Sequence, residues 1–298
     1  MNEVPEWLEK ITNLPDIDNN IRTFGGHKRW VPKGWSIPTE THFAFEIMMI
    51  IKGTQRTVFE GRVVEFQTGD ILLIPPGTVH ENFCVSEEGM EYFCVHFDMD
   101  DPKIQQKILM YCPILLEREN SVFSQIETII ENYIQLLEGG SFSTQDKLNV
   151  EINLLKLVLA LVNYAEEVEI QIDHSDNTSL ILAKLIAETI QKNFRLFTRE
   201  PTSANEYLLS MEFIASSLNI SKSTMLKAFK KVYSVSPKRY LDQIKYNEAK
   251  FLLHQPKVSI GEISEVLGYK NASHFSRQFK NWSQFSPKDY RQKSHLLD

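Results

Sequence analysis

Cysteine is scarce in this chain. There are three, Cys84, Cys94 and Cys112, an odd number without CxxC spacing. That excludes a disulfide framework and a thiolate zinc cluster, and leaves buried reduced thiols. No uninterrupted run of about 18 apolar residues occurs, so no membrane span is expected. The opening segment, MNEVPEWLEKITNLPD, lacks the apolar core of a signal peptide, and a cytoplasmic location is the expectation. Positive charge is scarce in one half only. Residues 1–170 carry 13 Lys and Arg against 27 Asp and Glu, a net of −14. Residues 171–298 carry 19 against 12, a net of +7, so the overall −7 conceals a division. Such asymmetry suggests a nucleic-acid-binding part joined to an acidic part. With 298 residues and 42% hydrophobic content, the chain has room for two packed domains.

The basic half contains a repeat. FKKVYSVSPKRY, beginning at Phe229, aligns without a gap with FKNWSQFSPKDY, beginning at Phe279. Two copies are too few for a solenoid and indicate a duplicated module. In the first copy, Phe213, Ile214 and Leu218 give one short helix an apolar face. Asn219 and Ile220 make a turn, and Ser221 caps a second helix that buries Met225, Ala228, Phe229 and Val232. Ala215 is the small residue where the two helices cross. In the second copy, Ser259 and Glu262 form a capping box, Ser264 is the small residue, Gly268 makes the turn, and Phe275 and Phe279 are buried. Each copy is therefore a helix-turn-helix unit. Between them, Ser236 and Pro237 start a helix running to about His254. Roughly 17 residues at about 1.5 Å each make a 25 Å spacer, suited to setting two recognition helices near one DNA turn.

The outward, N-terminal residues of each second helix are the candidate base readers. They are Lys222, Ser223, Leu226 and Lys227 in the first unit, and Ala272, Ser273, Ser276 and Arg277 in the second. Arg277 stands out, because a guanidinium can bind guanine O6 and N7 together. Lys230, Lys231, Lys238, Lys280 and Lys288 suit phosphate contacts. Ahead of the repeat, 180–197 is expected to be a helix capped by Thr178 or Ser179, and TREPTSANEY (198–207) a loop.

The acidic half has strand character over 20–100, where short apolar runs are broken by Gly and Pro, as in an antiparallel sandwich or barrel. Period-two alternation puts His42, Ala44, Glu46 and Met48 on one face and Phe43, Phe45, Ile47 and Met49 on the other. Two helices, 121–138 and 144–168, follow around Gly139 and Gly140. The first carries Val122, Ile126, Ile129, Ile130, Tyr133 and Leu137 at helical spacing. The second carries Leu148, Ile152, Leu155, Leu159 and Val162. One is expected to cover the barrel and the other to be shared in a homodimer.

The stretch Gly69-Asp-Ile-Leu-Leu-Ile-Pro-Pro-Gly-Thr-Val-His80-Glu-Asn82 resembles the second cupin motif, and His42, Glu46 and Gly53 fall on part of the first. Metal-binding cupins use two His and a Glu from the first motif and a His from the second; here the first His position holds Glu40. His42, Glu46 and His80 could bind a divalent metal, hydrogen-bond a polar ligand, or serve as structural polar groups. Ligand lining is the reading carried forward, with no metal, cofactor or catalytic residue assigned. Trp30 and Trp35 either stack on a flat ligand such as a sugar or cover the barrel end.

Residues 180–292 resemble the DNA-binding domain of the AraC/XylS transcription regulators, on the second unit's IxEVxGYxxxSxFxRxFKxxxxxSPxxYR pattern. An N-terminal cupin domain ahead of it is the usual arrangement of the arabinose-responsive members. Ser234 and Gln284 stand where the family often has Gly. The resemblance implies an α+β multidomain chain. A cupin-like antiparallel β-barrel with accessory helices occupies 1–170 for effector binding and dimerisation, 171–179 is a linker, and 180–292 is an all-α domain with two helix-turn-helix units. The implied function is sequence-specific transcription regulation of double-stranded promoter DNA, responsive to a small molecule such as a sugar, by a homodimer that is neither enzyme nor membrane protein. The alternatives are a metal-dependent cupin enzyme and an architectural DNA-binding protein with an inert barrel.

Overall fold

The computed structural model describes residue 14 and residues 21–59, 62–99, 101–171, 178–255, 257–283 and 285–295. The opening segment apart from Leu14, residues 172–177 of the expected linker, and Gln284 lie outside the described residues. Eight strands come first: β1 (Ile21–Val31), β2 (Ser36–Glu40), β3 (Phe45–Lys52), β4 (Thr54–Phe59), β5 (Arg62–Gln67), β6 (Ile71–Ile74), β7 (His80–Cys84) and β8 (Met90–Met99). They form two four-stranded antiparallel sheets, ordered β1-β8-β3-β6 and β2-β7-β4-β5. The alternation along β3 separates two cores. Met48 and Ile50 join Phe66, Leu72, Ile74, Met90 and Tyr92 between the sheets. Phe45, Ile47 and Met49 face outward, into a second core built with helices. At Gly53, in the β3–β4 turn, φ is +91° and an added Cβ would lie 2.6 Å from the Gly89 carbonyl oxygen, so only glycine fits.

Three helices cover the outer face of the first sheet: α1 (Pro102–Tyr111), α2 (Phe123–Glu138) and α3 (Thr144–Gln171). Asp101 caps α1 by accepting from the backbone N–H groups of Lys103 and Ile104, at 2.8 and 3.1 Å. α2 buries Phe123, Ile126, Ile129, Ile130 and Tyr133, as its spacing predicts. α3 is two-faced. Leu154, Leu157, Val158, Leu161 and Tyr164 are buried, whereas Leu148, Ile152, Leu155 and Leu159 are exposed. α3, 28 residues long, contains an 18-residue stretch of mean hydropathy 1.4, long and apolar enough to cross a membrane. Its packed face is that of a core helix.

The basic half is helical. α4 (Thr178–Arg199) extends two residues beyond each end of the expected helix. The expected loop 198–207 is largely ordered instead: Ser203–Leu209 forms a 3-10 helix packed on α4. Its Leu208 is buried, and Asn193 of α4 donates to the Leu208 carbonyl at 3.1 Å. α5 (Met211–Ser217) and α6 (Lys222–Tyr233) make the first helix-turn-helix, with Ser221 capping α6. α7 (Pro237–Leu253), capped by Ser236, is the 17-residue spacer. α8 (Ile260–Val266) and α9 (Ala272–Ser283) make the second unit, followed by α10 (Pro287–His295). The Ser259–Glu262 capping box is formed. Ser234 holds φ at +59°, the left-handed region that the missing glycine would favour.

Candidate functional site

α7 lies between the two helix-turn-helix units and against the barrel. Tyr240 and Leu241, near its start, are buried, and Tyr240 packs on Phe229 and Tyr233 of the first unit. Farther along, Tyr246 packs on Phe279 and Trp282 of the second. The Lys245 ammonium sits 4.9 Å over the Tyr269 ring. Burial, with Lys238 adding repulsion, pushes Lys245 down to about 8. The same helix meets the barrel rim. Arg239 donates to the Gly77 carbonyl, and Gln243 donates to the Phe43 carbonyl at 3.2 Å. Lys250 pairs with buried Asp98 of β8, which also holds Arg22 of β1 at 2.9 Å. Arg22 in turn donates to the Tyr290 hydroxyl of α10.

The candidate base readers are found mostly on exposed positions of the two recognition helices. Lys222, Ser223, Leu226 and Lys227 are exposed on α6. Ser273 and Arg277 are exposed on α9, with Ala272 and Ser276 half-buried. Six of the eight are thus exposed and two are half-buried. Lys222 also pairs with Glu212 of α5. Of the phosphate candidates, Lys230, Lys231, Lys238, Lys280 and Lys288 are all exposed, and Lys238 pairs with Asp242 at 2.8 Å. Sequence reasoning passed over His274. It is exposed on the first turn of α9, where its backbone N–H is capped by Asn271 at 2.8 Å. Its position one residue after Ser273 was the available signal.

Between the sheets, a polar cluster interrupts the apolar core. Glu46 of β3 is buried, and one carboxylate oxygen, Oε2, faces three imidazoles. His42 Nε2 is 3.1 Å from it, His80 Nε2 3.4 Å, and His96 Nε2 of β8 3.9 Å. The other oxygen, Oε1, accepts from the Cys94 thiol at 3.0 Å. His80 Nε2 is also 3.3 Å from Glu40 Oε1, yet it is aligned for a hydrogen bond with neither carboxylate. His42 Nδ1 donates to the Ala44 carbonyl at 2.9 Å and His80 Nδ1 to the Thr78 carbonyl at 3.1 Å. Those bonds turn both Nε2 atoms inward.

Burial alone would push Glu46 up, but the imidazoles of His42, His80 and His96 hold it well below the usual carboxylate range. Burial would lower His80, and Glu40 and Glu46 outweigh it, raising the group. For His96, burial prevails and the value falls. Gln55, Thr57 and Asn82 on β4 and β7 extend the polar surface. Thr57 donates to Asn82 at 2.8 Å, while Gln55 Oε1 and Asn82 Nδ2 are buried without a partner. These buried polar atoms suit a hydroxylated or ionic ligand.

The structure therefore brings His42, Glu46 and His80 together. It adds His96, Gln55 and Thr57, which no motif marked, and Asn82, the last residue of the second-motif stretch. Trp35 leans on Tyr92 at the edge of the inner core, with ring centroids 5.7 Å apart. Trp30 is 58% exposed and stands apart from the imidazoles.

A helix-turn-helix DNA-binding module packed on a small-molecule-binding barrel is the class these features define. Family profiles agree: one for a helix-turn-helix domain matches residues 214–293, and one for an AraC-like ligand-binding domain matches 28–144. The chain belongs to the AraC family of transcription regulators, with an N-terminal cupin-like domain. It is 24% identical over 287 residues to the Msm operon regulatory protein of Streptococcus mutans, covering 94% of each. It is 26% identical over 251 residues to the lactose operon transcription activator of Staphylococcus xylosus, covering 82% of each. The crystal structure of ToxT from Vibrio cholerae O395 aligns with a TM-score of 0.40 and 14% identity, over 91% of this chain and 96% of that one, too loosely to carry argument.

Proposed function

We propose that this regulator binds promoter DNA through α6 and α9 and that a small polar effector, held among Glu46, His42, His80, Gln55 and Asn82, governs that binding through α7. The observation that carries the proposal is the contact of α7 with the barrel rim. Arg239 grips Gly77, three residues before His80, and Gln243 grips Phe43, next to His42. A ligand that moves either loop acts directly on the helix joining the two readers. A coupling of about 1–3 kcal/mol is enough for a switch. The lactose operon named in one relative makes disaccharides the first effectors to try.

The domain assignment follows the same division. Residues 1–170 form the effector and dimerisation part, 171–179 the connection, and 180–292 the reader, in the cytoplasm with its DNA. The dimer uses the outward stripe of α3. Leu148, Ile152, Leu155 and Leu159 recur at spacings of four, three and four, the seam of a two-helix pairing. Leu155→Glu with Leu159→Glu is expected to convert dimer to monomer in sedimentation. A wild-type monomer at micromolar concentration contradicts the dimer.

The test of the function is fluorescence anisotropy of the full chain on duplex DNA from its own upstream region, over a salt series. Affinity is expected to fall as salt rises and to exceed that for scrambled duplex. Binding that ignores both salt and sequence overturns the proposal.

A further inference from the structure

The imidazoles around Glu46 have a charge problem. His42 meets the Ala44 carbonyl at Nδ1 and the Glu46 carboxylate at Nε2, an acceptor at each nitrogen. A neutral imidazole has one N–H, so one of these contacts needs a second positive charge: a proton or a metal ion. His80 is placed differently: its Nε2 lies within 3.4 Å of two carboxylates, Glu40 and Glu46, and groups with those donors. His42 and His96 have no such pair of carboxylates. Their rings are 4.6 Å apart, edge to face, and both Nε2 atoms approach the single oxygen Oε2 of Glu46. One divalent ion satisfies both rings and the carboxylate at once.

We propose that His42, Glu46 and His96 form a binding site for a divalent first-row transition metal, and that His80 is not one of its ligands. This deepens the reading of the barrel interior as a ligand site and rests on it. The donor atoms of His42, Glu46 and His96 all lie within 4.8 Å of one another. Ligands at about 2.0–2.2 Å from one ion stand about 3–4 Å apart. The observed separations from Glu46 Oε2, 3.1 Å to His42 and 3.9 Å to His96, match that spacing. Two imidazoles and a carboxylate select zinc, nickel, cobalt, iron or manganese over calcium and magnesium. Three protein ligands leave coordination positions open, where oxygen atoms of an effector would bind.

The surroundings hold this arrangement in place. The Ala44 carbonyl orients His42, and the Cys94 thiol orients Glu46. His96 is fixed by stacking: the Phe24 ring lies over it at 5.5 Å, tilted by 14°. Room for that ring comes from a register break between Phe24 and His27, where β1 pairs with β8. Gly25 sits in the break at φ +66°, and a Cβ there would come within 3.1 Å of His96 Nδ1. The cupin resemblance implies a set that includes the second-motif histidine, His80. In this chain Glu40 stands at the first His position of the first motif, 3.3 Å from His80 Nε2, and a histidine outside both motifs faces the Glu46 carboxylate.

The experiment is calorimetric titration of the chelator-treated full chain with Zn2+, together with Co2+ absorption spectra to report coordination. Wild type is expected to bind one ion per chain. His96→Ala and His42→Ala are expected to lower affinity by about 100-fold or more, while His80→Ala and Glu40→Gln stay within about threefold. His96→Asn and circular dichroism of every variant separate ligand loss from unfolding. No binding by wild type overturns the inference, as does retention in folded His96 variants or equal loss in His80→Ala. The readout uses neither DNA nor effector. Failed titration with salt-dependent DNA binding intact therefore sinks the metal site alone, and the reverse sinks the regulatory reading alone.

Discussion

The two helix-turn-helix units share a design but are tied to the barrel by different chemistry. The first unit leans mainly on its own domain, with α6 packed on α4. Its side-chain hydrogen bond to the acidic half, Gln106 to the Tyr233 hydroxyl at 3.3 Å, is neutral. The second, with the helices α7 and α10 that flank it, is tied by charge and aromatics. Asp98 gathers Arg22 and Lys250, Arg22 reaches Tyr290, and Phe43 packs edge-on against Trp282 at 5.3 Å. The second unit also carries Arg277, whose fork can read a guanine, where the first offers the point charges Lys222 and Lys227. The unit proposed to discriminate bases best is thus the one whose α9 meets the barrel through Phe43 and Trp282.

The largest expected effect comes from cutting that tie. Asp98→Ala leaves the buried ammonium of Lys250 without its carboxylate and should cost about 3–5 kcal/mol in denaturant unfolding. In the surviving folded protein, hydrogen exchange should rise more in α8–α10 than in α5 and α6. Equal rises would mean that the two units are tied alike. Next comes the pair Arg277→Ala and Lys227→Ala. The first should relax preference at one base position by about 1–3 kcal/mol, read by anisotropy on single-base variants. The second should weaken all duplexes nearly uniformly. Identical profiles for the two would erase the proposed difference between readers.

A smaller effect concerns Lys245, beneath the second unit's turn. Its value is lowered from 10.5 to about 8 by burial, so the folded state sheds a proton that the unfolded chain keeps. This group penalises folding below pH 8, and its penalty fades as pH rises from about 8 to 10.5. Lys245→Met should therefore raise stability at pH 7 by about 1–2 kcal/mol and flatten that part of the pH profile. A destabilised variant at pH 7 would show that the Tyr269 contact outweighs burial. The smallest effect is at the caps. Ser259→Ala removes the acceptor of the Glu262 N–H, and Ser221→Ala removes contacts with both the N–H and the hydroxyl of Thr224, so each should cost about 1 kcal/mol in thermal melts.

Much of this was legible in the sequence wherever a local rule sufficed. Both helix-turn-helix units, their caps and the 17-residue α7 follow from apolar spacing and Ser-Pro starts, and the two faces of β3 follow from alternation. What escaped needed tertiary pairing. His96 belongs to no motif and reaches Glu46 only because β8 pairs with β3, setting His96 opposite Glu46. Gln55 and Asn82 meet only through the β4–β7 pairing. The buried face of α3 was hidden because its outward stripe has the cleaner period. The 3-10 helix at Ser203–Leu209 lies in a stretch whose Pro, Thr and Ser favour loops, and burial of Leu208 orders it.

The central claim is that the barrel rim positions α7, and α7 the readers. Anisotropy of Arg239→Ala on the upstream duplex tests it most directly, because Arg239 touches Gly77 and no proposed DNA contact depends on it. With the candidate base readers of α6 and α9 mostly exposed in the docked arrangement, releasing α7 should weaken DNA binding by about fivefold or more at unchanged folding. An affinity equal to or tighter than that of wild type would contradict the account.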